Sequence, residues 1–393
     1  MYLNYDRRKP RRWPWLLLVL VVLVAGAGYY VARFRPDLIP VERLQQAPLP
    51  EPLRARVQER VAQVIPPTPS PVPTVRVDHL ARGDALFEEG QINEAIRSYE
   101  TAAQLQPDNA LVFARWARAL TIRRSYAKAV EKAQRAVELN ANSADAQSAL
   151  AFALDWSGQY DKALTAARKA TQLAPDSAEA WAYLSEVQSD KALWDESMES
   201  AQKAVQLNGK SYVAVRNLAY AHEIRNQRQK AIELYEQAAA IAPHLSYIRV
   251  DIARNKSILK DFNGARADLE RAIQIDPQDP QAYDDLGVMY FTDQKYKLAA
   301  DNFDKAIQVN PDYSAAYGHM GWVYYALKNY EDAITSFEKA IAMGQSNVGY
   351  YYQLGLSYAY LKQCDKARPW FEKALAVEPD AGPAKEGLKM CGQ

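Results

Sequence analysis

The stretch "AYDDLGVMYFTDQKYKLAADNFDKAIQVNP", residues 282–311, decides the fold. Tyr283, Leu286, Gly287 and Tyr290 lie at helical spacing and form one stripe. Ala299, Phe303 and Ala306 form a second, and Pro311 stops the chain. Residues further on repeat the pattern with Tyr351, Leu354, Gly355, Tyr358, Ala367, Phe371, Ala374 and Pro379.

Working outward, alanine recurs every 34 residues: Ala102, Ala136, Ala170, Ala204, Ala238, Ala272, Ala306, Ala340 and Ala374. A second series, seven residues earlier in each unit, accepts only small residues: Ala95, Ala129, Ala163, Ser197, Ala231, Ala265, Ala299, Ala333 and Ala367. Small side chains at two facing points let paired helices approach closely, so the pattern reports packing rather than chemistry. Units starting at 76, 110, 144, 178, 212, 246, 280, 314 and 348 tile residues 76–381 without insertion or deletion, which makes nine repeats.

These residues resemble the tetratricopeptide repeat, a 34-residue helix-turn-helix unit with large-x2-Leu-Gly-x2-Tyr, then Ala-x3-Phe, then Pro. The resemblance covers about four-fifths of the chain. It implies an all-α fold, a right-handed superhelical solenoid of antiparallel helix pairs with a concave groove. The fourth unit departs from the pattern at Gln188 and Gly209, and the sixth at Arg249, which marks both as loose or specialised.

The 17th place of the units reads Ile92, Tyr126, Tyr160, Trp194, Arg228, Phe262, Tyr296, Tyr330 and Cys364. An aromatic is the habit there, and the last unit breaks it. No successor helix follows to cover an aromatic, only residues 382–393, where Pro383 can start a short capping helix and Leu388 supplies apolar contact. Packed as a truncated next helix, this cap brings Cys391 towards Cys364 and predicts a disulfide, with two reduced thiols as the alternative.

The N-terminal part is of another kind. Residues 1–12 carry five basic groups against Asp6, and Trp13–Ala32 is an uncharged run of 20 residues. At about 1.5 Å per residue such a helix covers the roughly 30 Å hydrocarbon core. Residues 13–34 therefore read as a transmembrane signal anchor, with Trp13, Trp15, Tyr29 and Tyr30 at the interfaces. The basic tail belongs in the cytoplasm and the repeats on the extracytoplasmic side. A cleaved signal peptide, suggested by the small residues at 25–27, and a cytoplasm-facing domain are the alternatives. Residues 35–75 form a Pro-rich linker, including "PPTPSPVP" at 66–73, with an amphipathic segment at 52–65 through Leu53, Val57, Val61 and Val64.

Charge excludes some functions. Residues 76–393 carry 37 basic and 42 acidic groups, so no basic footprint for nucleic acid is present. His79, His222, His244 and His319 are scattered, no C-x-x-C pair occurs, and no nucleophile, base and orienter assemble. Neither enzyme nor cofactor is expected.

The second, fifth, ninth and twelfth places of each first helix point away from the packed stripe and should line the groove. Units 3 and 4 present Asp145, Asp155, Glu179 and Glu186 there, beside Asp190, with no basic residue at those places. The last three units present Val288, Phe291, Trp322, Tyr325, Tyr352 and Leu356, with Tyr360 close by. The aromatics are expected to anchor a protein or peptide partner and the acids to orient a basic segment. Solvated acids, aromatics that only pack between helices, and self-association of copies are the competing expectations.

Overall fold

The computed structural model describes residues 78–392. Nineteen helices fill them and, among the described residues, there is no strand. The pairs are α1 (His79–Glu88) with α2 (Ile92–Leu105), α3 (Ala110–Ile122) with α4 (Tyr126–Leu139), and α5 (Ala144–Trp156) with α6 (Tyr160–Leu173). They continue as α7 (Ala178–Asp190) with α8 (Trp194–Leu207), α9 (Tyr212–Ile224) with α10 (Arg228–Ile241), and α11 (Ser246–Ile258) with α12 (Phe262–Ile275). The last are α13 (Pro280–Thr292) with α14 (Tyr296–Val309), α15 (Ser314–Ala326) with α16 (Tyr330–Ala342), and α17 (Val348–Tyr360) with α18 (Cys364–Val377). A short helix, α19 (Gly382–Met390), closes the stack.

Local chemistry sets the helix ends. Asp78, Asn109, Ser143, Ser177, Ser211, Asp279 and Asn347 cap first helices by accepting backbone N–H groups. In unit 6 the cap position holds Leu245, which offers no side-chain acceptor. Each first helix ends on a residue with positive φ, from Gly90 at 78° to Lys362 at 60°, which turns the chain into the second helix.

Both alanine series are fully buried in the seam between paired helices, Ala299 and Ala306 among them. At the eighth place the seam is filled in two ways. A Cβ on Gly287, Gly321 or Gly355 would stand 2.6–2.7 Å from the ring of Phe303, Phe337 or Phe371, so glycine admits the aromatic. In units 2 and 3 both positions are alanine, Ala117 with Ala133 and Ala151 with Ala167, and all four are fully buried.

First helices of consecutive units face one another, so they line the inner side of the solenoid. They approach most closely from α3 to α9 and draw apart from α11 to α17, and α9 and α11 are the loosest neighbours of all. The winding brings distant units into contact. Arg123, in the turn of unit 2, pairs with Asp276 near the end of unit 6, and its carbonyl accepts from Asn310 Nδ2 near the end of unit 7 at 2.9 Å.

The solenoid ends in a staple. Cys364 and Cys391 are joined by a disulfide with a Cα–Cα distance of 5.4 Å, and Arg368 Nη2 donates to the Cys391 carbonyl at 3.0 Å. Among the described residues no helix is long and apolar enough to cross a membrane. The basic tail, the expected span at 13–34 and the linker with its 52–65 segment lie outside the described residues.

Candidate functional site

The inner face divides into a closed charged part and an open aromatic part. In the closed part, Arg118 of α3 donates to Glu179 of α7 at 2.8 Å and to the Tyr212 hydroxyl of α9 at 2.6 Å. Arg216 of α9 bonds Glu186 of α7 at 2.6 Å and Asp251 of α11 at 2.9 Å, and its guanidinium lies 5.4 Å from the Tyr247 ring centroid. Arg254 continues the column to Asp285 at 2.8 Å, and His319 Nδ1 lies 2.7 Å from Asp284. Acid and base thus alternate along the superhelix axis.

The four acids expected in an acidic groove have different fates. Asp145 is exposed and Glu179 is half-buried on Arg118. Asp155 and Glu186 are only 2% and 3% exposed. Glu186 is held by Arg216 and by Trp156 Nε1 at 3.0 Å, so it does not face a ligand. This corrects the expectation of an acidic surface free of bases. Arg118 and Arg216 come from units 2 and 5, on either side of the two units that supply the acids. A count of the same columns over all nine units would have found them, since Arg118 holds the ninth place and Arg216 the fifth.

Burial drives the ionisation of this cluster. Asp155 is pushed well above the ordinary carboxylate range by burial first, then by the charges of Asp190 and Glu186. Neither Asp155 oxygen has a hydrogen-bonding donor among the described residues. Asp190 is also raised, by burial, although the Tyr220 hydroxyl that donates to it opposes the shift. Arg216 behaves oppositely: burial disfavours its charge, but Glu186 and Asp251 outweigh that and hold it well above its usual value.

At the N-terminal mouth a cavity of about 340 Å³ is lined by Asp84, Phe87, Glu88, Tyr99, Arg118 and Tyr212, among others. Arg118 already stacks over Phe87 at 5.2 Å and Tyr212 at 5.9 Å, so the chain's own cation covers these rings.

The open part holds the aromatic residues singled out from the sequence. Phe291 lies 6.2 Å from Trp322, and Trp322 lies 4.6 Å from His319 and 5.6 Å from Tyr350. Tyr325 meets Tyr330 at 5.8 Å and Tyr360 at 6.2 Å, while Tyr330 and Tyr360 stack at 4.8 Å. Val288, Phe291, Trp322, Tyr325, Tyr352 and Leu356 are half-buried, and Tyr360 is 48% exposed. The rings therefore pack on one another and each stays partly exposed. Trp322 Nε1 has no acceptor among the described residues. His319 joins the two parts: burial opposes its charge, but Asp284 and then Asp285 outweigh it and raise its pKa.

Among the described residues no group of acids, histidines and cysteines converges as a metal site. Sequence models described as "TPR repeat" match residues 83–115, and models described as "Tetratricopeptide repeat" match 248–279, 278–346 and 348–380. A comparison with curated proteins finds no match. Among solved structures, the APC/C hetero-tetramer Cut9–Hcn1 is similar with a TM-score of 0.59 at 18% identity, over 76% of this chain and 59% of that one. The chain thus spans about three-fifths of that relative. The human IFIT1 dimer with m7Gppp-AAAA is similar with a TM-score of 0.51 at 16% identity, over 77% of this chain and 90% of that one. At such identities the likeness is one of fold. The described residues form an all-helical solenoid, and residues 83–115, 248–346 and 348–380 of it match tetratricopeptide repeat models.

Proposed function

We propose that this protein is a membrane-tethered scaffold that holds a protein or peptide partner on the aromatic inner face of units 7–9. The carrying observation is the half-buried face of Phe291, Trp322, Tyr325 and Tyr352. Aromatic side chains on a rigid concave surface supply most of the affinity in such contacts. The closed charged column serves stability rather than recognition, because Glu179, Glu186 and Asp251 are paired with Arg118 and Arg216 of the same chain.

Tethering rests on the uncharged run Trp13–Ala32, and the basic residues before it favour a position of the repeats outside the cytoplasm. Confinement at a membrane raises the effective concentration of whatever the face holds. The disulfide-linked cap suits an oxidising compartment.

The test replaces Trp322 and Tyr325 by alanine in the full-length chain, followed by site-specific cross-linking and sedimentation in detergent. Loss of a cross-link to a different protein, with sedimentation unchanged, supports the reading. A shift from dimer to monomer replaces it with self-association, and no change in either sinks the aromatic face as the site. Labelling of intact cells with an impermeant maleimide checks the compartment. Labelling of Cys364 and Cys391 only after reductant fits the external side, and labelling only after lysis overturns it.

A further inference from the structure

Residues 280–381 contain a single histidine, His319 of α15, so units 7–9 have one imidazole, the group whose charge ordinarily changes near neutral pH. It sits at the joint between the first helices of units 7 and 8. Its Nδ1 donates to Asp284 Oδ1 of α13 at 2.7 Å, and Asp284 is buried. The other Asp284 oxygen accepts from the hydroxyl of Tyr313, just ahead of α15, at 3.3 Å. Among the described residues, His319 with Asp284 is the one charge pair between α13 and α15. Apolar packing supplies the rest of the joint, with Met320 and Val323 of α15 beside Val288, Tyr290 and Phe291 of α13. These helices lie where first helices draw apart, so a side-chain bridge carries more of the joint here than it would in units 2–5.

The same ring backs the aromatic face. It lies 4.6 Å from Trp322, 5.4 Å from Phe303 of α14 and 6.5 Å from Tyr350 of α17. The charged groups that act on it are Asp284 and, with a smaller effect, Asp285, which Arg254 of α11 already holds at 2.8 Å. Burial opposes a charge on the ring, but these acids outweigh it and keep the proton above the ordinary imidazole range. A protonated ring gives Asp284 a counter-charge and brings a cation within reach of the Trp322 face. When the proton leaves Nε2, the Nδ1 hydrogen bond remains, but a buried carboxylate loses its counter-charge, which a folded interior tolerates poorly.

We propose that His319 is a proton-operated clamp on the aromatic face: charged, it ties α13 to α15 and sets Trp322 for a partner; neutral, it slackens the joint and releases the partner. The regulation rests on the reading of that face as the partner site, whereas the clamp does not. His319 acts through Asp284 and Trp322 and is a positioning residue. Its hold on the joint is complete below the ordinary imidazole pKa and is lost as pH rises through the raised one.

The test places 5-fluorotryptophan in the full-length protein in detergent and follows the Trp322 fluorine resonance from about pH 5 to about pH 9, assigned by its loss in Trp322→Phe. The resonance is expected to titrate with a midpoint above the ordinary imidazole value, to titrate at lower pH in Asp284→Asn, and to stay flat in His319→Gln. Hydrogen exchange, corrected for the chemical rate, should show protection of α13 and α15 falling by at least about fivefold between about pH 6 and about pH 9 in the parent but not in His319→Gln. Cross-linking through the aromatic face should fall by a similar factor over the same range in the parent alone. A parent resonance that does not move with pH overturns the clamp without recourse to any variant. Unchanged protection, or a titration that persists in His319→Gln, overturns it too. Equal cross-linking at both pH values overturns the regulation. Cross-links absent at every pH, with titration and protection as expected, sink the face as the partner site and leave the clamp standing.

Discussion

Units 2–5 and units 7–9 share one repeat and use it differently. In the first group the inner helices lie close, the seam of units 2 and 3 is alanine against alanine, and the axis is filled by matched charges. In the second the inner helices stand apart, glycine faces phenylalanine in the seam, and half-buried rings line the opening. The contrast teaches that the seam residues hold a pair together, while the inward-facing places decide whether the interior closes on itself or stays open.

The strongest way to break this contrast is to remove the charge at the centre of the closed part. Arg216→Met leaves Glu186 and Asp251 buried without their cation, and the expected cost is about 3–5 kcal/mol of unfolding free energy. Urea denaturation of the full-length protein checks it, and a loss below about 1 kcal/mol would mean the column is not what closes units 2–5.

Next in size is the staple that ends the open part. Its loop spans 27 residues, so Cys364→Ser should cost about 3.5 kcal/mol by the chain-entropy argument, felt first by α19. Hydrogen exchange of α17–α19 reads this locally; equal protection in the variant would show that packing alone holds the cap.

The two ways of filling the seam are separated by Gly287→Ala. Its methyl group would stand 2.6 Å from the Phe303 ring, and the overpacking should cost about 1–3 kcal/mol. A neutral result in thermal melts would show that Phe303 shifts freely and that glycine is not required there.

The smallest expected effect is a gain. Asp155 has a raised pKa in the folded state, so the folded chain holds that proton more tightly than the unfolded one. Its favourable contribution is complete below the ordinary carboxylate pKa and is lost as pH rises through the raised value. Asp155→Asn, which keeps a donor for Asp190, should stabilise by about 1 kcal/mol at neutral pH and by almost nothing near pH 4. A gain that does not grow with pH would assign the effect to shape instead of charge.

Much of this could be read before any coordinates. The stripe of Tyr283, Leu286, Gly287 and Tyr290 and the recurrence of alanine at Ala306 and Ala340 suffice for helix pairs, because the periodicity of a helix is local and each unit repeats the same contacts with its neighbours. The aromatic face was legible for the same reason, since inward places follow from the helical angle. The fate of Asp155 and Glu186 was not, as burial depends on cations that other units supply.

The sequence by itself determined the all-helical repeat, its seam residues and which side chains point inward, all consequences of contacts within one unit or between adjacent ones. Tertiary structure alone decided that Arg118 meets Glu179 across 61 residues and that Arg123 meets Asp276 across 153. Small rotations between neighbouring units accumulate along the solenoid. Their sum, which no single 34-residue pattern contains, selects the distant groups that come together and hence where the interior closes.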